Sequence, residues 1–230
     1  MNLLFEDQDI IVCHKSAGMA TQTGKIGEKD MVSELKNYLS DGNLSTGTGK
    51  EPYVGLVHRL DQGVEGVLVF AKTPFAAADL SKQVTEHTMK KYYYAVVSGE
   101  IEQQEATLVD YLIKDGKTNT SRVVNKGMTG AKRAELTYRC LNQSDVSLLE
   151  IKLITGRHHQ IRVQLANQGL PLVNDYKYGY QDTSRQDGIA TKSDGIALCA
   201  YKLIFLHPKT HKPMTFTVTP SNPVFEELLA

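Results

Sequence analysis

At 230 residues, with 41% apolar side chains and no net charge, the chain suffices for one large domain or two small ones and can pack a core without disulfides or metals. Neutrality argues against a generic nucleic-acid binder; three scattered cysteines without a C-x-x-C pair argue against a disulfide frame or a zinc site. Acids at Glu6, Asp7 and Asp9 exclude a signal peptide, and no apolar run nears the roughly 18 residues of a membrane span, so a cytoplasmic protein is expected.

Taken in chain order, "DIIVCHK" (9–15) reads as a buried-type strand followed by a turn at "SAG". "DMVSELKNYL" (30–39) has helical spacing in Met31, Leu35 and Leu39, with Asp30 as N-cap. "SDGNLSTGTGKEP" (40–52) reads as a polar loop. "YVGLVHRL" and "EGVLVFAKT" read as two strands joined by "DQGV", and "PFAAADLSKQVTEH" (74–87) as a helix with proline in its first turn. "KKYYYAVVSGE" is a strand. Lys114 to Lys132 alternates turns and short strands, and "AELTYRCL" and "VSLLEIKLI" follow as strands. "HHQIRVQLANQG" (158–169) reads as a helix ending at Gly169, and 179–195 as a long polar loop. "IALCAYKLIFLHP" and "PMTFTVT" close the chain as strands. The alternation predicts an α+β fold, one domain over 1–230, built on a large mixed, mostly antiparallel sheet with flanking helices and loops.

Three stretches carry candidate chemistry. In "HRLDQGVEG" (58–66), Asp61 sits in a tight connection between strands, beside His58 and Arg59 and before two glycines. It suits an anionic substrate; the plain alternative is a surface aspartate paired with Arg59. In "LITGRHHQIRVQLANQG" (153–169), Arg157, His158, His159, Gln160 and Arg162 crowd a helix start. Cations there oppose the helix dipole, so they are expected to serve an anion such as phosphate; the alternative is a solvated helix start. A metal role for His158 and His159 is disfavoured, because adjacent residues are expected to face different ways. In "KKYYYAVVSG" (90–99), Tyr92 and Tyr94 share one strand face and Tyr93 takes the other. Such tyrosines pack cores or stack on bases. The 114–139 stretch is basic, with Lys114, Lys117, Arg122, Lys126, Lys132, Arg133 and Arg139 against Asp115 and Glu135. It suits an RNA backbone or a solvated sheet edge equally.

Together these stretches resemble the RluA-type pseudouridine synthases. "HRLDQGVEGVLVFAKT" resembles that family's HRLDxxTSGLLLxAK segment, "KYYYAVV" its K-x-Y-x-A segment, and "LITGRHHQIRVQLANQGLPLVNDYKYG" its L-x-TGRTHQIRVHLAxxGxPxxGDxxYG segment. "DIIVCHKSAG" and "IFLHPKTHKPMTF" resemble its first and last strands, so the matches span residues 5–219 in order. The resemblance implies a pseudouridine synthase fold with a catalytic cleft across the sheet, and conversion of uridine in ribosomal or transfer RNA to pseudouridine. It implies Asp61 as the catalytic aspartate, Tyr93 stacked on the uracil, and Arg162 in a salt bridge orienting Asp61. It also implies Arg59 beside the flipped nucleotide and Leu153 against the base, with His58, Lys91, Arg157 and Gln160 as further RNA-side or structural members. Lys132 and Arg133 are expected to help hold RNA. The family uses no cofactor and no metal, and a monomer is expected.

The chain departs from the pattern after Asp61, where Gln62-Gly63-Val64-Glu65 replaces a charged pair and Thr-Ser. This adds an acid near the expected RNA path and bears on recognition more than on chemistry. His158 stands where Thr is common, Gln164 where His is common, and Ser16 replaces a proline. The S4-like RNA-binding domain of many relatives is not seen ahead of these motifs, so the cleft itself is expected to hold the RNA. The competing class is a catalytically idle RNA-binding or ribosome-assembly factor on the same fold. A nucleoside glycosidase is disfavoured, because only one carboxylate lies in a motif.

Overall fold

The computed structural model describes residues 2–24, 27–43, 51–181 and 195–229. The chain forms two compact units, Met1–Met89 with Tyr201–Thr219 and Lys90–Ala200 with Pro220–Ala230.

The first unit opens with β1 (Asn2–Glu6) and β2 (Ile10–Lys15), an antiparallel hairpin. Asp7 shapes its turn by accepting from the N–H groups of Asp9 (2.8 Å) and Ile10 (2.9 Å). Ile10 through Cys13 expose no surface, as expected of an apolar run buried on both faces. α1 (Met31–Asn43) starts where Asp30 accepts from Ser33 N–H and Thr23 N–H, both at 2.7 Å. The helix runs past its expected end at Leu39 into the first part of the expected 40–52 loop; residues 44–50 of that loop lie outside the described residues.

β3 is only Gly55–Leu56, much shorter than the strand expected over 53–60, and pairs with β4 (Glu65–Ala71). β4 also pairs with β2, with Ile10 opposite Ala71 and Lys15 opposite Gly66. α2 (Pro74–Thr85) begins with Thr73 Oγ1 accepting from Ala76 N–H (3.1 Å) and proline at a position that needs no donor. Its Ala76 and Leu80 pack on Ile10, Val12, Val67, Val69 and Ala71, joined by Leu203 and Phe205. Buried Gln83 continues the sheet with its side chain: its amide exchanges two hydrogen bonds with the backbone of Leu206 (2.8 and 2.9 Å).

The second unit is built on β5 (Lys90–Val97), β6 (Glu105–Asp115), β7 (Thr120–Val124), β8 (Lys132–Gln143) and β9 (Ser147–Leu153). Their order is β5-β9-β8-β6-β7, each pairing antiparallel. α3 (Gln160–Asn167) sets Val163 against Leu112 and Ala134 on one face of these strands, and Gln164 donates to Asp110 Oδ2 at 2.7 Å. Gly99 (φ +104°) turns where a Cβ would stand 2.5 Å from the Gly169 carbonyl, so only glycine fits. Most of the expected 179–195 loop, residues 182–194, lies outside the described residues.

β10 (Leu198–Leu206) begins in the second unit and continues into the first, where it pairs antiparallel with β11 (Pro213–Thr217). The chain ends in α4 (Glu226–Leu229). The α+β class and the mostly antiparallel pairing agree with the sequence; β1, β6 and α4 are additions to it. Among the described residues, no helix is long and apolar enough to cross a membrane.

Candidate active site

Asp61 lies in the first unit, on a turn closed by Val64 N–H donating to the Asp61 carbonyl (3.1 Å). Both chain neighbours of Asp61 are clamped by residues 15–21, from the last residue of β2 onward. Before it, Leu60 N–H donates to Thr21 Oγ1 (3.2 Å), and that hydroxyl donates to the Leu60 carbonyl (2.8 Å). After it, the Gln62 carbonyl accepts from Gly18 N–H (2.8 Å) and Lys15 Nζ (3.2 Å), while Gln62 Nε2 donates to the Gly18 carbonyl (3.0 Å). Asp61 itself is half-buried.

Lys15 expresses the electrostatics of this turn. Its side chain is fully buried, and its ammonium also donates to the carbonyls of Ser16 (3.0 Å) and Met19 (2.7 Å). Burial pulls its pKa down to about 8, against the opposing pull of the Asp61 and Glu65 carboxylates. At neutral pH it is a cation. Lys15 was legible only as a matching letter of the first motif; a lysine ending an otherwise apolar strand is the signal that marks it.

The remaining candidates of the first unit have distinct settings. His58 Nε2 accepts from Val69 N–H (3.2 Å), so an imidazole satisfies a β4 donor beyond the end of β3. Arg59 is exposed. Glu65, the acid expected near the RNA path, is instead buried at 2% exposure, 3.6 Å from His14 Nε2. The replacement of serine by glutamate therefore acts on the interior behind the turn.

Register assembles the candidates of the second unit. Lys91 lies opposite Leu153, and Tyr93 opposite Ile151. Lys91, Tyr93 and Leu153 thus share one strand face, with Tyr93 and Leu153 buried. Burial lowers the Lys91 pKa. Tyr92 faces the other way, into a groove with Thr107, Thr137, Arg139, Glu150 and Lys152.

Arg157 and Gln160 knit the turn ahead of α3. Gln160 Oε1 accepts from Thr155 Oγ1 (2.8 Å) and Arg157 N–H (2.9 Å), and its Nε2 donates to the Glu135 carbonyl (3.0 Å). Arg157 Nε donates to the Arg133 carbonyl (2.9 Å). Lys132 and Arg133 are exposed on β8, with Arg133 paired to Glu135 at 2.6 Å.

Arg162 is 6% exposed and grips Asp175 with two parallel bonds, Nε to Oδ2 at 2.7 Å and Nη2 to Oδ1 at 2.8 Å. Asp175 was not singled out from the sequence, although it lies in the third motif. The two histidines correct one expectation. His159 is left-handed (φ 52°), and this brings its ring onto that of His158, stacked at 3.7 Å. Adjacent residues here do not face different ways; each Nδ1 meets a hydroxyl, Ser121 Oγ at 2.9 Å and Tyr178 OH at 2.8 Å.

Among the described residues, Asp7, Asp9 and His207 bring ligand-type atoms within 4.8 Å of one another. His207 Nδ1 accepts from the N–H groups of Lys209 (3.2 Å) and Thr210 (3.1 Å), so the ring proton sits on Nε2 and points at Asp7 Oδ2 (2.8 Å). That is a hydrogen-bonded anchor between two turns, with the imidazole nitrogen already protonated where a metal would bind.

The fold is that of a pseudouridylate synthase domain. The human protein RNA pseudouridylate synthase domain containing 4 superposes with a TM-score of 0.76 over 96% of this chain and 89% of its own, at 19% identity. Residues 9–167 match the RNA pseudouridylate synthase family, and the chain belongs to it. It is 33% identical over 210 residues to the uncharacterized RNA pseudouridine synthase YhcT of Bacillus subtilis, covering 91% of this chain and 65% of that one. It is 36% identical to ribosomal large subunit pseudouridine synthase D of Nitrosomonas europaea, covering 90% of this chain and 58% of that one. The chain thus spans roughly three fifths to two thirds of these two relatives' length.

Proposed function

We propose that this chain isomerises specific uridines in structured RNA to pseudouridine, with Asp61 acting on the ribose of a flipped-out nucleotide. The observation that carries the reading is the clamped turn: Leu60 and Gln62 are both fixed by the 15–21 segment, and the carboxylate between them faces a buried ammonium's field. A group that must meet one sugar carbon needs such placement.

The chemistry asks for little else. The N1–C1′ bond breaks, the freed uracil turns, and the sugar rejoins it at C5, whose proton leaves to solvent while N1 takes up a proton. Extrusion of the nucleotide costs a few kcal/mol. Tyr93 and Leu153, buried on one strand face, suit a stacking surface and an apolar floor that let the base rotate. In this reading Arg162 serves the reaction as a buried cation, Arg59 occupies the space the nucleotide leaves, and Lys132 and Arg133 meet phosphates. No cofactor or metal takes part, and the protein works as a cytoplasmic monomer. The Nitrosomonas relative's name favours ribosomal RNA over transfer RNA as the substrate class.

The test is tritium release from ribosomal and transfer RNA transcripts carrying uridine tritiated at C5. Wild-type protein is expected to release label from one or a few positions, and Asp61→Asn to release none while binding the same RNA. RNA binding without release by wild type would instead favour the idle RNA-binding factor.

A further inference from the structure

We infer that Tyr178 is a positioning residue that ties the basic β6–β7 hairpin to Arg162, so that RNA held by the hairpin bears on how the arginine is set. The inference rests on the reading of Arg162 given above.

Tyr178 lies three residues after Asp175 in a short 3-10 turn, Tyr176–Tyr178. That turn holds Arg162 in two ways. Asp175 takes the guanidinium edge in two bonds of 2.7 and 2.8 Å, and the guanidinium carbon sits 5.0 Å from the centre of the Tyr178 ring. Tyr178 N–H donates to the Asp175 carbonyl (3.0 Å), which fixes the ring relative to the carboxylate.

The other end of the same side chain belongs to the hairpin. Ser121 of β7 donates its N–H to the Tyr178 hydroxyl at 2.8 Å. The same hydroxyl lies 2.8 Å from His159 Nδ1. The Ser121 hydroxyl donates to the His158 carbonyl (2.8 Å) and lies 2.9 Å from His158 Nδ1. Tyr178 also packs with Val123 of β7 against Leu112, Ala134 and Val163, and Lys177 donates to the Asn119 carbonyl at the hairpin tip (3.3 Å). A single edge-strand residue, 5% exposed, therefore meets both the ring that supports Arg162 and the histidine pair that opens its helix.

The hairpin's outer surface carries the partner's chemistry. Lys114, Lys117 and Arg122 are exposed, against Asp115. A polyanion fits this surface, and under the proposed function that polyanion is the substrate RNA. Asp175 fixes Arg162 irrespective of RNA, whereas Tyr178 has one end on the arginine and one on the RNA-facing hairpin.

The experiment is a rate cycle between the hairpin and the hydroxyl, read as single-turnover tritium release at saturating ribosomal RNA transcript. Tyr178→Phe keeps the ring and its packing. Lys117→Gln with Arg122→Gln neutralises the hairpin. Each is expected to lower the saturated rate about tenfold, and the triple variant is expected to be no slower than either, since both cut one link. Ser121→Ala, which loosens the hairpin from His158, is the second probe and is expected to merge with Tyr178→Phe in the same way. Effects that multiply to about a hundredfold, or a hairpin neutralisation that changes affinity alone, would overturn the link. Loss of all turnover in wild type would overturn the isomerase reading itself, a distinct result seen before any variant is made.

Discussion

The turn that carries Asp61 and the side chain of Arg162 are secured in different ways. The turn is held through the chain neighbours of Asp61: Thr21 clamps Leu60, Lys15 and Gly18 clamp Gln62, and every such bond ends on backbone or begins there. Arg162 is held by its own side chain, edge-on to Asp175 and face-on to Tyr178. The first arrangement fixes a turn and leaves the carboxylate half-buried; the second buries a charge and depends on its counter-charge. The contrast teaches that loss of a holder should have different costs in the two units.

The largest effect is expected at Asp175. Asp175→Asn leaves a 6%-exposed guanidinium without the carboxylate that grips it, and breaking such a buried pair costs about 3–5 kcal/mol. Urea unfolding measures it; a loss below about 1 kcal/mol would put Arg162 in the class of surface pairs and dissolve the contrast.

Lys15 comes next, and its effect depends on pH. Its folded pKa of about 8 lies below the ordinary 10.5. Between these values the unfolded chain binds more protons than the folded one, so this group makes stability rise with pH across that window and adds nothing below it. The full rise is on the order of 3 kcal/mol. Lys15→Met should remove the rise, and at neutral pH should also lose the ties to the three carbonyls. Parallel stability curves for wild type and variant between pH 7.5 and 10.5 would mean that Lys15 is not the buried cation of the turn.

Thr21→Val is the subtler break of the same clamp. It keeps the shape and leaves the N–H and carbonyl of buried Leu60 without their hydroxyl partner, a loss of about 1–3 kcal/mol. If the clamp serves Asp61, the saturated turnover rate should fall by more than RNA affinity does. Equal losses in both would make Thr21 a purely structural residue.

The smallest effect on stability is expected at Lys132 and Arg133, both exposed. Charge reversal there should alter stability by less than about 1 kcal/mol yet weaken RNA binding and flatten its dependence on salt. Unchanged binding would leave the stretch as a charged sheet edge.

The elements were legible where burial was simple. β2 and β4 are apolar runs, α2 carries its own cap and proline, and β5 alternates its tyrosines. β6 escaped because Thr107, Val109 and Tyr111 put apolar or neutral groups on the open face while Asp110 faces α3, which blurs the period of two. β3 was overestimated because His58, not a backbone carbonyl, takes the Val69 donor. Asp61, Tyr93 and Arg162 were legible as letters of long motifs. Their holders were not legible as such: Thr21, Lys15, Asp175 and Tyr178 act through hydrogen bonds or ring contacts across many residues of chain, and sequence spacing does not tell which residue each one grips. Glu65 was legible as an anomaly but not as a buried one, because a carboxylate after two turn residues reads as surface.

The most direct test of Asp61 as the group that isomerises uridine is a transcriptome-wide map of pseudouridine in the source organism, with and without the gene. At least one site is expected to be lost on deletion, restored by the wild-type gene and not by Asp61→Asn. Restoration by Asp61→Asn, or a map unchanged by deletion while the protein still captures RNA, would contradict it.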